Sequence, residues 1–89
     1  MKTTRPESQS LLRWLFHLGH HTLTCAVNAN GRGSYDVCLM PHWNLSTSVV
    51  EPFHNAAAAF ERHAEISLGL RAKGWTVVEH GATRSANAA

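Results

Sequence analysis

Leu12, Trp14, Phe16 and Leu18 alternate with Leu11, Arg13, Leu15 and His17, a period of two that predicts a β-strand over residues 12–18. A helix over 8–18 is the alternative reading, because Leu11, Leu15 and Leu18 also suit a helical period and Ser8 or Ser10 would serve as its N-cap. Pairing favours the strand. With Gly19 and His20 as a two-residue turn of the glycine-first kind, Leu18 faces His21, Phe16 faces Leu23, Trp14 faces Cys25 and Leu12 faces Val27. The apolar residues of these pairs then land on one face, and a second strand runs over 21–28.

The segment Asn28 to Ser34 is dense in residues that tolerate positive φ, and Tyr35, Val37 and Leu39 alternate after it, so a third strand is expected over 34–40. A loop centred on Gly31 would set Val27 opposite Tyr35, Cys25 opposite Val37 and Leu23 opposite Leu39. In that register Cys25 and Cys38 point to opposite faces, which argues against a disulfide. Pro41 to Asn44 reads as another turn, and 46–52 as a fourth strand halted by Pro52, which has no amide to pair.

Asn55 is placed to cap a helix over 55–73, with Ala56, Ala59, Phe60, Ala64, Leu68 and Leu70 on its apolar face and Glu61, Arg62, Glu65 and Lys73 opposite. Gly74 ends it, and Trp75 can fold back on the last turn. Thr76 to Glu79 is a candidate short edge strand. The order predicts an α+β domain, an antiparallel β-meander of three to four strands with one C-terminal helix on one face. The other face stays bare and would carry Arg13, Leu15, His17, Thr22, Thr24, Ala26, Asp36, Cys38 and Met40. The polar ends, 1–10 and 80–89, read as flexible tails around a single domain over 11–79.

At 89 residues there is room for one core, and 44% hydrophobic content is enough to build it. The formal charge of +2, from eight scattered Lys and Arg against six Asp and Glu, is no nucleic-acid footprint. No apolar run reaches the roughly 20 residues of a membrane span, and no cleavage pattern follows the N-terminal Lys2 and Arg5, so a cytoplasmic protein is expected. Two cysteines are too few for a disulfide framework or a zinc site of the paired-cysteine kind.

The run from Thr24 through Val37, Val50, Phe53, the helix and Lys73-Gly74-Trp75 resembles small uncharacterised bacterial proteins that join a short β-meander to one helix ending in Gly-Trp. The resemblance spans roughly residues 12–76 and implies the fold, with no catalytic residue attached.

Seven histidines are the compositional oddity. His17, His20 and His21 cluster at the first hairpin and are the candidate ligands for zinc, nickel or copper, although a hairpin sends neighbouring side chains in different directions. His63 is either a histidine at the edge of the core or a general base beside a pocket. Cys38 with His17 and Asp36 on the bare face is an imaginable thiol-nucleophile set that lacks an evident oxyanion hole. Asn30-Gly31-Arg32-Gly33 joins two strands and opens no helix, so it is a hairpin turn and not a phosphate loop.

The reading that follows is a non-enzymatic interaction or regulatory module without a cofactor. Its expected partner is a protein or a second copy of itself, and its expected surface is Arg13, Leu15, His17, Ala26, Cys38, Met40 and the exposed turn residue Trp43, for which packing across the end of the helix is the other and preferred reading. The alternatives are a nucleic-acid-associated regulator using Arg13, Arg32 and His17 on phosphates, and a histidine-based metal-binding protein. No membrane partner is expected.

Overall fold

The computed structural model describes residues 9–81. Its elements are β1 (Gln9–Leu18), β2 (His21–Ala29), β3 (Tyr35–Pro41), a 3₁₀ turn (Leu45–Thr47), β4 (Val49–Phe53), α1 (Ala56–Ala72) and β5 (Thr76–Gly81). The strands form one sheet in the order β4-β3-β2-β1-β5, every neighbouring pair antiparallel. The α+β class and the meander agree with the expectation; the strand count of three to four does not. A fifth strand completes the sheet because α1 carries the chain from the β4 edge to the opposite edge, where β5 pairs along β1. The expected tails fall largely outside the described residues, and Gln9, Ser10, His80 and Gly81 belong to strands.

Residues 11–18 are strand, not helix. The first hairpin has the predicted register, with Leu12 opposite Val27, Trp14 opposite Cys25, Phe16 opposite Leu23 and Leu18 opposite His21. Gly19 takes φ +61° in its turn, as a glycine-first turn requires. A bulge at Leu11 lengthens β1 beyond the expected strand, and both Leu11 and Leu12 pack against the core.

The second hairpin keeps its faces but slides by two residues. Val27 pairs with Val37, Cys25 with Leu39 and Leu23 with Pro41. The loop closes from Asn30 to Ser34, with the Asn30 amide donating to the Ser34 carbonyl at 3.1 Å and the Asn30 side chain accepting from the Arg32 amide at 2.9 Å. Gly31 and Gly33 take φ of +82° and +84° there. A two-residue slip preserves the alternation of faces, so hydrophobic patterning alone does not choose between these registers. Pro52 was expected to end β4 and instead lies within it, opposite Asp36. β4 is an edge strand, where a residue without an N–H costs no ladder bond on its open side.

The helix is capped as its sequence indicates. Asn55 accepts from the Ala58 amide at 2.8 Å. At the other end Gly74 has φ +101°, its amide donates to Arg71 at 3.1 Å, and the Trp75 amide donates to Leu70 at 3.0 Å, the paired bonds of a Schellman stop.

The expected helix face is right at Ala59 and Leu70 and wrong at Phe60, Ala64 and Leu68. Ala59, His63 and Ser67 are the buried residues of α1, and Ile66 and Leu70 pack beside them against Phe16, Leu23, Cys25, Val27 and Val37. Phe60, Ala64 and Leu68 lie outside, Leu68 at 66% exposure. Ala59 and Ser67 are small enough to let the helix approach a sheet already filled by Phe16 and Trp14. His63 compensates the burial of its ring nitrogen by bonding the Cys25 carbonyl at 3.2 Å and stands edge-on to Trp14, ring centroids 5.1 Å apart. Arg62, expected on the solvent side, reaches β4, where its Nε and Nη2 donate to the two Glu51 carboxylate oxygens at 2.9 and 3.3 Å.

Candidate functional site

Strand alternation gives the sheet two faces. Phe16, Cys25 and Val37 point to α1, so their neighbours Arg13, Leu15 and His17 on β1, Thr22, Thr24 and Ala26 on β2, and Asp36, Cys38 and Met40 on β3 share the face without a helix. In the pairing register Leu15, Thr24 and Met40 form one row across the strands. Arg13, Ala26, Cys38 and Val50 form the next. Leu15 and Met40 flank Thr24, which is fully buried although it is a polar residue on a sheet face without a helix.

Thr24 is satisfied there: its hydroxyl lies 2.6 Å from the Nε2 of His42. The His42 amide donates to the Thr22 carbonyl at 2.9 Å, prolonging the β2–β3 ladder and setting the imidazole over the row. Asn28 donates to the Cys38 sulfur at 3.4 Å. The face thus has an apolar centre of Leu15, Ala26, Cys38, Met40 and Val50, with Arg13, Asp36 and Glu79 around it.

Six of the seven expected surface residues share this face; Trp43 does not. Its ring stacks on Trp75, centroids 6.1 Å apart at 18°, and stands edge-on to His21 at 4.5 Å. Both partners belong to the helix side, so Trp43, still half exposed, closes the C-terminal end of α1. The exposed turn residue is a packing residue for a neighbour it meets only in the folded chain.

The chemical candidates are dispersed. His17 is paired with Thr22 on the helix-free face, whereas His21 packs on Trp43 on the other. Among the described residues no three His, Cys, Asp or Glu side chains gather as metal ligands would. Cys38 and His17 sit two strands apart and in different pairing rows. Burial, and after it the Asp36 charge, raises the Cys38 thiol above its ordinary value, partly offset by the Asn28 bond. Burial foremost pushes the Cys25 thiol up to about 12. Both cysteines are free and protonated at neutral pH, the opposite of an activated nucleophile. Burial lowers the pKa of His63, with the Cys25 carbonyl acting in the other direction, so it is a neutral core histidine at pH 7. Arg32 lies in the exposed β2–β3 loop, on a different element from Arg13 and His17.

Sequence reasoning missed His42 as the partner of Thr24, Val50 as part of the apolar centre, and the outward placement of Phe60 and Leu68. Only the last had a signal in the chain, since Ala59, His63, Ile66 and Leu70 are spaced for a helix face as well as Phe60, Ala64 and Leu68 are.

The chain matches no protein-family model, no curated protein and no solved structure. Among the described residues no helix is long and apolar enough to cross a membrane.

Proposed function

We propose that this protein is a non-enzymatic interaction module that associates with a second copy of itself through the helix-free face of its sheet. The observation that carries the reading is the pair of rows that places Leu15, Met40 and the exposed Val50 around the buried Ala26 and Cys38, on a five-stranded sheet that has a helix on one side only among the described residues. A second copy suits that face because its charges are self-complementary. Arg13 on β1 and Asp36 on β3 flank β2, so a two-fold relation between facing sheets brings Arg13 of one copy toward Asp36 of the other.

The size of the face sets the strength. Five strands about 4.8 Å apart span roughly 20 Å, which places the contact at the low end of specific interfaces. A reversible dimer is expected, and with it a regulatory or docking role in which self-association competes with an external protein partner.

Sedimentation velocity over a concentration series tests the proposal. A concentration-dependent dimer that persists at raised salt and is unchanged by zinc is expected, because apolar contact dominates the face. Met40→Asp should return the protein to monomer at every concentration with its circular dichroism spectrum intact. Monomer throughout the series for the unaltered chain would overturn the reading.

A further inference from the structure

On the helix side, α1 rests mainly over β2 and β3, and a groove of about 390 Å³ remains between α1 and the first half of β1. Its volume lies in the range of small-molecule sites. Leu12 and Trp14 of β1 line it, and Phe60 and Leu68 of α1 face them. These helix residues form the second apolar stripe of α1, left over after Ala59, His63, Ile66 and Leu70 pack on the sheet.

Three polar residues also line the groove, His63, Ser67 and Arg71. They are spaced four residues apart and form a single column along the helix. Ser67 is only 4% exposed, and its hydroxyl has no hydrogen-bond partner among the described residues. A buried hydroxyl left unpaired is destabilising, and a serine within a helix ordinarily avoids this by pointing to solvent or bonding a carbonyl one turn back. Arg71 stands one turn further on, near the C-terminal end of α1, exposed and without an ion pair among the described residues. His63 has one ring nitrogen committed to the Cys25 carbonyl; being neutral, it adds no charge to the column.

We propose that this groove binds a small monocarboxylate with a hydrocarbon body, its carboxylate held by Arg71 and the Ser67 hydroxyl and its chain laid between the two apolar walls. The guanidinium offers a planar fork that matches a carboxylate. The serine hydroxyl gains the acceptor it otherwise lacks. The walls supply non-directional burial for a chain or a ring, so the site discriminates by headgroup more than by body.

Octanoate titrated into the full chain and followed by amide chemical shifts tests the site, with 1-octanol as the control that keeps the chain and removes the charge. Saturable octanoate binding is expected, with the largest shifts along residues 60–71. Octanol should bind at least about tenfold more weakly, the fold-change expected from losing a charge-assisted contact. Arg71→Gln should weaken octanoate by a similar factor and leave octanol unchanged, and Ser67→Ala should weaken it less. Because the groove and the proposed dimer face lie on opposite sides of the sheet, Met40→Asp should bind octanoate as the unaltered chain does. Equal binding of octanol and octanoate, indifference to Arg71→Gln, loss of binding in Met40→Asp, or no saturable binding would each overturn the proposal.

Discussion

On the side of the sheet that carries α1, the strands contribute Phe16, Leu23, Cys25, Val27 and Val37, and a helix closes over them. On the side without a helix the same strands contribute Thr24, Ala26 and Cys38, which are also buried. The two faces differ in the size of the side chains they bury. The helix side needs a second layer, because large apolar side chains standing up from a sheet cannot shield one another completely. On the helix-free side Thr24, Ala26 and Cys38 are short and lie on the inner strands β2 and β3, and Thr24 has the longer Leu15 and Met40 as row neighbours. The two sides should respond to substitution on different scales.

The largest contrast is expected at Phe16, fully buried beneath the helix. Phe16→Ala should cost about 3–5 kcal/mol, the usual range for a phenylalanine deleted from a packed core, read as a fall in the urea midpoint. A loss below about 1 kcal/mol would mean that the helix side collapses to fill the space, and the contrast between the faces would break.

Acid should act next, and on the helix side. Burial lowers the His63 pKa in the folded chain, so below the unfolded value of about 6.5 the unfolded state takes up a proton that the folded state resists. Stability is expected to be full above that pH and to decline as pH falls through it toward the lower folded value. His63→Gln should flatten this part of a stability-against-pH curve measured by denaturant titration. An unchanged slope would show that protons enter elsewhere.

The smallest effect is expected on the other side. Thr24→Val keeps the shape and the burial of the side chain and removes the bond to His42, whose ring is exposed and regains water. A change within about 1 kcal/mol is expected in the same urea measurement. A loss approaching that of Phe16→Ala would mean that the Thr24–His42 bond organises the helix-free face, and that packing of short side chains does not suffice.

Much of this architecture is legible in particular residues. The Gly19-His20 turn sets Leu12, Trp14 and Phe16 opposite Val27, Cys25 and Leu23 on one face, and the structure adopts that register. Asn55 and Gly74 mark both ends of the helix because each satisfies backbone groups that the helix leaves unpaired. The helix-free face was legible as well, through the parity of the strands. The second hairpin was legible only to within two residues, since Tyr35, Val37 and Leu39 tolerate a slip of two without changing face. The helix face was legible only at Ala59 and Leu70, because α1 carries two apolar stripes and the choice between them depends on the surface it meets.

Local signals and the parity of strands thus belong to the sequence by itself: turns, caps, the alternation of faces and the α+β order all arise from residues close along the chain. Tertiary structure alone decided which stripe of α1 turns inward, that β5 crosses to pair with β1, that Trp43 stacks on Trp75, and that Ser67 is buried at a groove beside Arg71. Each of these joins residues from distant parts of the chain, and its energy exists only once the sheet and helix are in place. His63 shows the division most directly: its position on the helix follows from the sequence, but the Cys25 carbonyl that makes its burial tolerable lies on β2 and is brought near by the fold.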